Sequence, residues 1–283
     1  IMIIKHLKIF VKFHQIVDCQ KIIRNNLQLD TPRVSIVLPF LSHFSTEIVI
    51  NCIQSMQKQS LTEYECIILD VNMHQDCTRE ITELIKTDSR FLWLSHNTEL
   101  SMACLLNAGI LLARAPYIAL NPHCAIWHSD ALEHLWATAN SKSAEMVYGN
   151  LETTNSNQSK DRPGPISRVA INNMIPISAV LCQMDFFRKY GLFDPHIFAR
   201  NFYDWELWRR SLRLGGTFFH LNRVIGVSND DTSTSAKTKS LDIFETAYLF
   251  DDEQLPARRE ALLPGVIASY DLVRFEKVLK YVR

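Results

Sequence analysis

The sequence predicts an α/β fold: a mainly parallel mixed sheet flanked by helices, with helical extensions at both ends. Three observations carry this prediction. Short apolar, β-branched runs alternate with helix-spaced segments from Val34 to about Leu120. That alternation is the pattern of strand–helix–strand units, whose sheets are covered on both faces. Polar residues, Asp70 and Asn121, stand where two of the runs end, and ligands of open α/β sheets sit at the carboxyl ends of the strands.

Composition narrows the class. The chain has 283 residues, of which 47% are hydrophobic and 21% charged, values that exclude a disordered or fibrous chain. Thirty Lys and Arg balance thirty Asp and Glu, so no global field attracts nucleic acid, and no nucleic-acid partner is expected. The seven cysteines are scattered and form no CxxC pair, which argues against a zinc knuckle or a disulfide framework and for a reducing compartment, the cytoplasm. No apolar run reaches the roughly 18 residues of a spanning helix, and no signal peptide is recognisable. The chain begins at Ile1, which fits a module cut from a longer protein with further domains.

Three stretches follow in order. Residues 1–30 read as a basic helix, with Lys5, Lys8 and Lys12 beside Ile4, Leu7, Phe10 and Val11. Such a helix suits docking on the main domain, with membrane-surface contact as the alternative. Residues 31–240 form the main domain. Val34–Pro39 reads as a strand stopped by proline, 46–58 as a helix, and 64–70 as a strand ending in Asp70. Residues 81–87 read as helix, 91–95 as strand, 100–113 as helix and 116–120 as strand. Then come a helix at 131–139, a strand at 145–151 and a polar Pro/Gly-containing loop at 152–167 that suits a lid. Residues 177–184 read as a buried strand, 186–190 as a short helix ending near Gly191, and 205–214 as a helix closed by Gly215-Gly216. A strand pair spans 217–227. Residues 241–283 read as a mostly helical tail broken at Pro256 and Pro264.

The order of these elements resembles glycosyltransferase family 2, enzymes of the GT-A fold. VSIVLPF is similar to that family's first strand, and CIQSMQKQSLTEYECIILD to its helix and second strand ending in an aspartate. LLNAGILLARAPYIALN resembles the segment that leads into its metal motif, and GLFDPHIFARNFYDWELWRRSLRLGG is the most specific match. The likeness runs from residue 33 to about 235.

The resemblance implies an enzyme that transfers a sugar from a nucleotide-diphosphate donor, a UDP-sugar first, to the hydroxyl of a glycan or other acceptor with inversion. Such a reaction needs a reader of the base, a countercharge for the departing diphosphate and a carboxylate to take the acceptor proton. By similarity Pro39 and Asp70 belong to the nucleotide site, Asp70 accepting a hydrogen bond from a ring N–H. Asn121 and His123 stand beside the diphosphate. The rings of Tyr203, Trp205 and Trp208 suit stacking on an acceptor sugar, with core packing, usual for aromatics at helical spacing, as the alternative. Asp204 is the base, with Glu206 as the fallback. Asp204 also suits a cap of the helix that follows, where the dipole keeps a carboxylate ionised.

Several positions depart from the pattern. Where the family carries Asp-x-Asp for Mn²⁺ or Mg²⁺, this chain has Asn121-Pro122-His123, so His123 is the one metal ligand left in the motif. Asp70-Val71-Asn72-Met73 replaces Asp-Asp-Gly-Ser, Thr98 follows Asn97 in place of glycine, and Leu106 stands where a basic residue precedes Asn107. These changes support an alternative, a catalytically degenerate binding or scaffolding module. A third reading is a metal-independent transferase in which Arg168 or Arg200 neutralises the leaving group. Gly109 is read as a packing glycine, His220 as a core histidine, and Glu152 and Asp161 as solvated. No P-loop, GxSxG or HExxH supports a kinase, a serine hydrolase or a zinc protease.

Overall fold

The computed structural model describes residues 21–24, 31–41, 44–71, 75–96, 100–153, 169–170, 172–196, 199, 201–228, 243–264 and 266. Residues 1–20 of the basic helix, most of the polar loop, Asn72, Met73, Asn97, Thr98, Asp161, Arg168, Arg200 and the chain after residue 266 lie outside the described residues.

The centre of the molecule is the predicted strand–helix alternation. Strand β1 (Lys21–Arg24) is followed by β2 (Val34–Phe40), α1 (Thr46–Gln57), β3 (Tyr64–Val71), α2 (Gln75–Ile85), β4 (Phe91–His96), α3 (Met102–Leu112) and β5 (Tyr117–Leu120). β4, β3, β2 and β5 lie side by side and parallel, with Leu69 opposite Pro39, Asp70 opposite Phe40 and Leu120 opposite Val37. The period of two sorts their residues between two cores. Val34, Ile36, Leu38 and Phe40 of β2 join Tyr64, Cys66 and Ile68 of β3 on one face. Val37, Ile67, Leu69 and Val71 pack on the other, beneath α3. Each fully buried aliphatic side chain there contributes about 1.5–3 kcal/mol.

Ser45 and Ser101 cap α1 and α3, their hydroxyls accepting from the Ile48 and Cys104 N–H groups, each at 3.3 Å. Gly109 of α3 lies over β2, where an added Cβ would stand 2.3 Å from Val37 Cγ1. Glycine is therefore what lets the helix approach the sheet.

The remaining elements are β6 (Ile126–Trp127), α4 (Ala131–Lys142), β7 (Met146–Thr153), a 3-10 turn (Ile177–Ala179), β8 (Val180–Gln183), α5 (Met184–Tyr190), α6 (Tyr203–Arg213), β9 (Phe218–Ser228), α7 (Ile243–Leu249), a second 3-10 turn (Asp252–Gln254) and α8 (Leu255–Ala261). Among the described residues they complete a nine-stranded mixed sheet in the order β1-β4-β3-β2-β5-β8-β7-β9-β6. β8 runs antiparallel to both β5 and β7, while β9 runs parallel to β7.

Four expectations are corrected. Lys21–Arg24 is not helical but an edge strand antiparallel to β4, because the backbone groups along β4's outer edge offer partners that outweigh local helical spacing. The strand expected at 177–184 opens with a 3-10 turn, closed by the Ala179 N–H on the Pro176 carbonyl at 2.8 Å. The strand pair at 217–227 is one strand, β9. Its register jumps from His220 opposite Tyr148 to Val224 opposite Asn150, a bulge that absorbs the polar Asn222-Arg223 without a turn. Pro256 does not break a helix but occupies the first turn of α8, where a missing N–H costs nothing.

The C-terminal elements are tied to α6. Glu206 accepts from Arg210 Nη2 at 2.9 Å and from Arg258 Nη1 at 3.1 Å, and Arg258 Nε lies 3.7 Å from Asp194. Tyr248 donates to Asp194 and stacks on His196, with ring centroids 4.6 Å apart. Among the described residues no helix is long and apolar enough to cross a membrane. Nor does a disulfide join any of the cysteines there, which are all buried.

Candidate functional site

The carboxyl ends of β2, β3 and β5 form one edge, because these strands are parallel and in register. Pro39 lies at this edge, buried. The Asn121 N–H donates to the Val37 carbonyl at 3.1 Å, so Val37 faces β5, and Pro39, two residues on, faces the same way just past the end of that ladder. Its missing N–H therefore falls where the strand no longer has a partner to satisfy. Asp70, next to last in β3, is buried, and its carboxylate accepts from Ser95 Oγ at 2.7 Å and from Trp93 Nε1. Two donors from β4 thus fix its plane.

After β5 the chain makes a tight turn at 121–125. Asn121 closes it with both ends of its amide: Nδ2 donates to the Ala125 carbonyl and Oδ1 accepts from the Ala125 N–H, each at 2.9 Å. The residue is fully buried, so these bonds hold the turn and point away from solvent. Cys124 adopts φ 53° within it, a left-handed conformation that costs an L-residue roughly 1–2 kcal/mol and that the Asn121 bonds help to impose. His123 sits at the turn's outer corner, half-buried. Its backbone N–H donates to Ser178 Oγ at 3.1 Å, and its Nε2 lies 3.3 Å from the Tyr203 hydroxyl.

The Tyr203 contact brings the start of α6 to this turn. Burial, and then the neighbouring Asp204 carboxylate, push the Tyr203 phenol well above its ordinary value, so it remains an O–H able to donate to the imidazole. Its ring meets Phe193 edge-on at 5.8 Å. Trp205 donates its indole N–H to the Val169 carbonyl at 2.6 Å and meets Phe250 edge-on at 5.8 Å. Both rings are packed inside the protein and leave little of their surface open to anything bound outside.

Asp204 lies in the first turn of α6, one position inside the helix, whose N-cap is Phe202. Its Oδ1 accepts from the Trp205 N–H at 2.8 Å, and Asn173 Nδ2 reaches Oδ1 at 3.1 Å and Oδ2 at 3.0 Å. Burial pushes its carboxyl above the usual carboxylate range, and the Asn173 and backbone hydrogen bonds oppose this only in part. Loss of solvent thus outweighs the hydrogen bonds at the helix start in setting the acidity of this carboxyl. Glu206 is held differently. Its carboxylate is enclosed between Arg210 and Arg258, so the fallback base is a structural ion-pair partner.

The structure brings together His123, Tyr203 and Asp204, while Pro39 and Asp70 stand along the same sheet edge at the ends of β2 and β3. Sequence reasoning missed Ser178 and Asn173. Both are polar residues on the irregular segment before β8, and only the fold carries them to the turn and to α6. His220 Nε2 donates to Asn150 Oδ1 at 2.8 Å and the ring stacks on Tyr148, a packed position in the β7–β9 ladder. Asn107 pairs through its amide with both backbone groups of Phe193, at 2.8 and 2.9 Å, fixing the loop that leads to α6.

Among the described residues the donor set at this turn does not fit a divalent cation. Asn121 spends its amide on Ala125, His123 Nε2 meets Tyr203, and among the described residues no group of three or more His, Cys, Asp or Glu is placed to hold a metal.

The family model for glycosyl transferase family 2 matches residues 35–213. No curated protein matches the chain. Among solved structures, Staphylococcus aureus TarS 1–349 aligns with TM-score 0.58 at 11% identity over 70% of this chain and 60% of that one. The same protein in complex with UDP-GlcNAc aligns with TM-score 0.56 at 11% identity, over 70% of this chain and 58% of that one. The Pyrobaculum calidifontis mannosyltransferase PcManGT, in complex with GDP-Man and Mn²⁺, aligns with TM-score 0.57 at 11% identity over 98% of this chain and 73% of that one. At this identity the neighbours show the fold, which is that of GT-A glycosyltransferases. This chain spans about 60% of the TarS 1–349 chain that it matches. The family match covers more than half of the sequence and includes the sheet edge, the 121–125 turn and the start of α6, and the chain belongs to glycosyl transferase family 2.

Proposed function

We propose that this domain is an inverting glycosyltransferase that moves a sugar from a nucleotide-diphosphate donor, a UDP-sugar first, to an acceptor hydroxyl. The observation that carries the reading is the Asp204 carboxylate, buried at the start of α6 with only neutral donors on it and raised in basicity. Such a group suits general-base work better than an ordinary surface aspartate. It would take the acceptor proton while the acceptor oxygen forms its bond to the sugar's anomeric carbon. The bond from that carbon to the diphosphate oxygen breaks on the opposite face, and the configuration inverts.

The other residues divide the remaining work. Asp70, oriented by Trp93 and Ser95, would accept from a ring N–H of the base, with Pro39 closing that end of the pocket. His123, on its rigid turn, would face the diphosphate, and Tyr203 and Trp205 would shape the acceptor side. The likeness to TarS, solved with UDP and UDP-GlcNAc, and to PcManGT, solved with GDP-Man, supports a nucleotide-sugar donor. Although Mn²⁺ accompanies PcManGT, the donor set among the described residues of this chain gives no step through a metal.

The test is product stereochemistry. With an α-linked UDP-sugar series and a hydroxyl acceptor screen, the product's anomeric NMR coupling is expected to report the β configuration. An α product would overturn inversion. A second reading, a binding module without turnover, is favoured by the sealed Asn121 turn, which removes a polar group from the diphosphate side. Nucleotide binding with no transfer across donors and acceptors would establish it.

A further inference from the structure

Asn173 lies on the irregular stretch before the first 3-10 turn, 31 positions ahead of Asp204, yet it is the side chain that meets the Asp204 carboxylate. One amide nitrogen spans both oxygens, at 3.1 and 3.0 Å. The orientation of the amide follows from chemistry: turned over, its carbonyl oxygen would face an acceptor-only carboxylate. With the nitrogen inward, Asn173 Oδ1 is buried and has no hydrogen-bond partner among the described residues. Buried acceptors without partners are uncommon and call for a reason, and service to Asp204 supplies one.

The stretch that carries Asn173 is stitched to the same helix. Trp205 donates to the Val169 carbonyl at 2.6 Å, and Arg209 donates to the Ala170 carbonyl. The segment is thus anchored to the first two turns of α6, and the amide keeps its place on the carboxylate. Among the described residues no Lys or Arg forms an ion pair with Asp204. Titratable groups that face it are the Tyr203 phenol on its own helix, which feels the Asp204 charge, and, through that hydroxyl, His123 from the turn after β5.

We propose that Asn173 is the positioning residue of Asp204: its amide sets the plane of the carboxylate and so presents one oxygen to the acceptor hydroxyl. The inference rests on Asp204 being the base. Neutral hydrogen bonds here take the part that a cation plays elsewhere, favouring the charged carboxylate in a place where burial opposes it.

The test follows the Asp204 carboxyl directly by carbon NMR titration, its resonance identified by its absence from Asp204→Asn. It is paired with turnover of a UDP-sugar, with water as the acceptor. Asn173→Ala removes the donor, and Asn173→Asp keeps the shape while replacing the donor with an acceptor. The Asp204 midpoint is expected to rise in Asn173→Ala and to rise further in Asn173→Asp. The fall in kcat should be larger than any change in KM, about tenfold for each unit of rise when read below the midpoint. A midpoint and kcat unchanged in both variants, with Asp204→Asn inactive, would overturn the positioning role alone. Full turnover in Asp204→Asn would overturn the base assignment and this inference with it. If Asn173→Ala fails to fold, the near-isosteric Asn173→Asp decides by the same two readouts.

Discussion

Glu206 and Arg258 meet at 3.1 Å, Oε1 to Nη1, inside the protein, although 52 residues separate them. Arg210 completes the pair from the same helix as Glu206, and its guanidinium also caps the Tyr190 and Leu192 carbonyls. This cluster fastens α8 to the helix that carries Asp204, so what reads in the sequence as a C-terminal extension is joined to the site's scaffold. Removing one partner of a buried pair strands the other charge and costs about 3–5 kcal/mol. Arg258→Ala and Glu206→Gln are each expected to lower stability by that order in urea denaturation, with kcat per folded molecule near wild type. A stable Glu206→Gln without turnover would return the base role to Glu206.

Asp204→Asn keeps the size of the side chain and removes its basicity. Loss of a general base typically costs 10²–10⁴-fold in rate, so kcat is expected to fall by about that factor. Nucleotide affinity should be unchanged, since Asp70, the proposed reader of the base, lies on β3 and not on α6. Steady-state rates and calorimetry on one preparation check both halves.

The raised Asp204 carboxyl has two consequences with pH. Because the base works ionised, the acid limb of kcat/KM should lie above the ordinary aspartate value of about 3.9. For stability the sign is the reverse of that for a salt-bridged carboxylate. With the folded value above the unfolded one, the group favours the fold below the unfolded value and loses that contribution as pH rises through the folded value. Asp204→Asn, which cannot ionise, should therefore gain stability relative to the native chain as pH climbs through that window. Melting temperatures measured in parallel across pH would show it.

Gly109 makes a packing prediction. Gly109→Ala improves helix propensity by about 1 kcal/mol, but its methyl would collide with Val37 in β2. Overpacking a tight core costs about 1–3 kcal/mol, so the net effect is expected to be destabilising. Equilibrium unfolding checks it, and a more stable variant would show that α3 has room to move.

The alternating core was legible because strands buried on both faces leave mostly apolar runs, as in Val34–Phe40 and Tyr64–Val71. Local pattern failed where partners distant in sequence decide. Lys21–Arg24 became a strand because β4 had an open edge. The 177–184 run yielded its first turn to Ser178, which serves His123 and Trp127 from there. In the site, the start of α6 was visible from its acidic and aromatic residues, as was the turn that replaces Asp-x-Asp. The fate of Asn121 was not, because an asparagine that closes its own turn and one that faces a ligand read alike in sequence. Asn173 left no signal either, since nothing in its neighbours marks a residue that will meet Asp204.

The most direct measurement is calorimetric titration of UDP, then GDP, into the native protein and Asp204→Asn, with Mn²⁺, with Mg²⁺ and with excess chelator. Saturable one-site binding of UDP, equal in the two proteins and persisting in chelator, is the predicted result. Absence of binding for both nucleotides under every metal condition would contradict a nucleotide-sugar transferase and leave a fold kept as a scaffold.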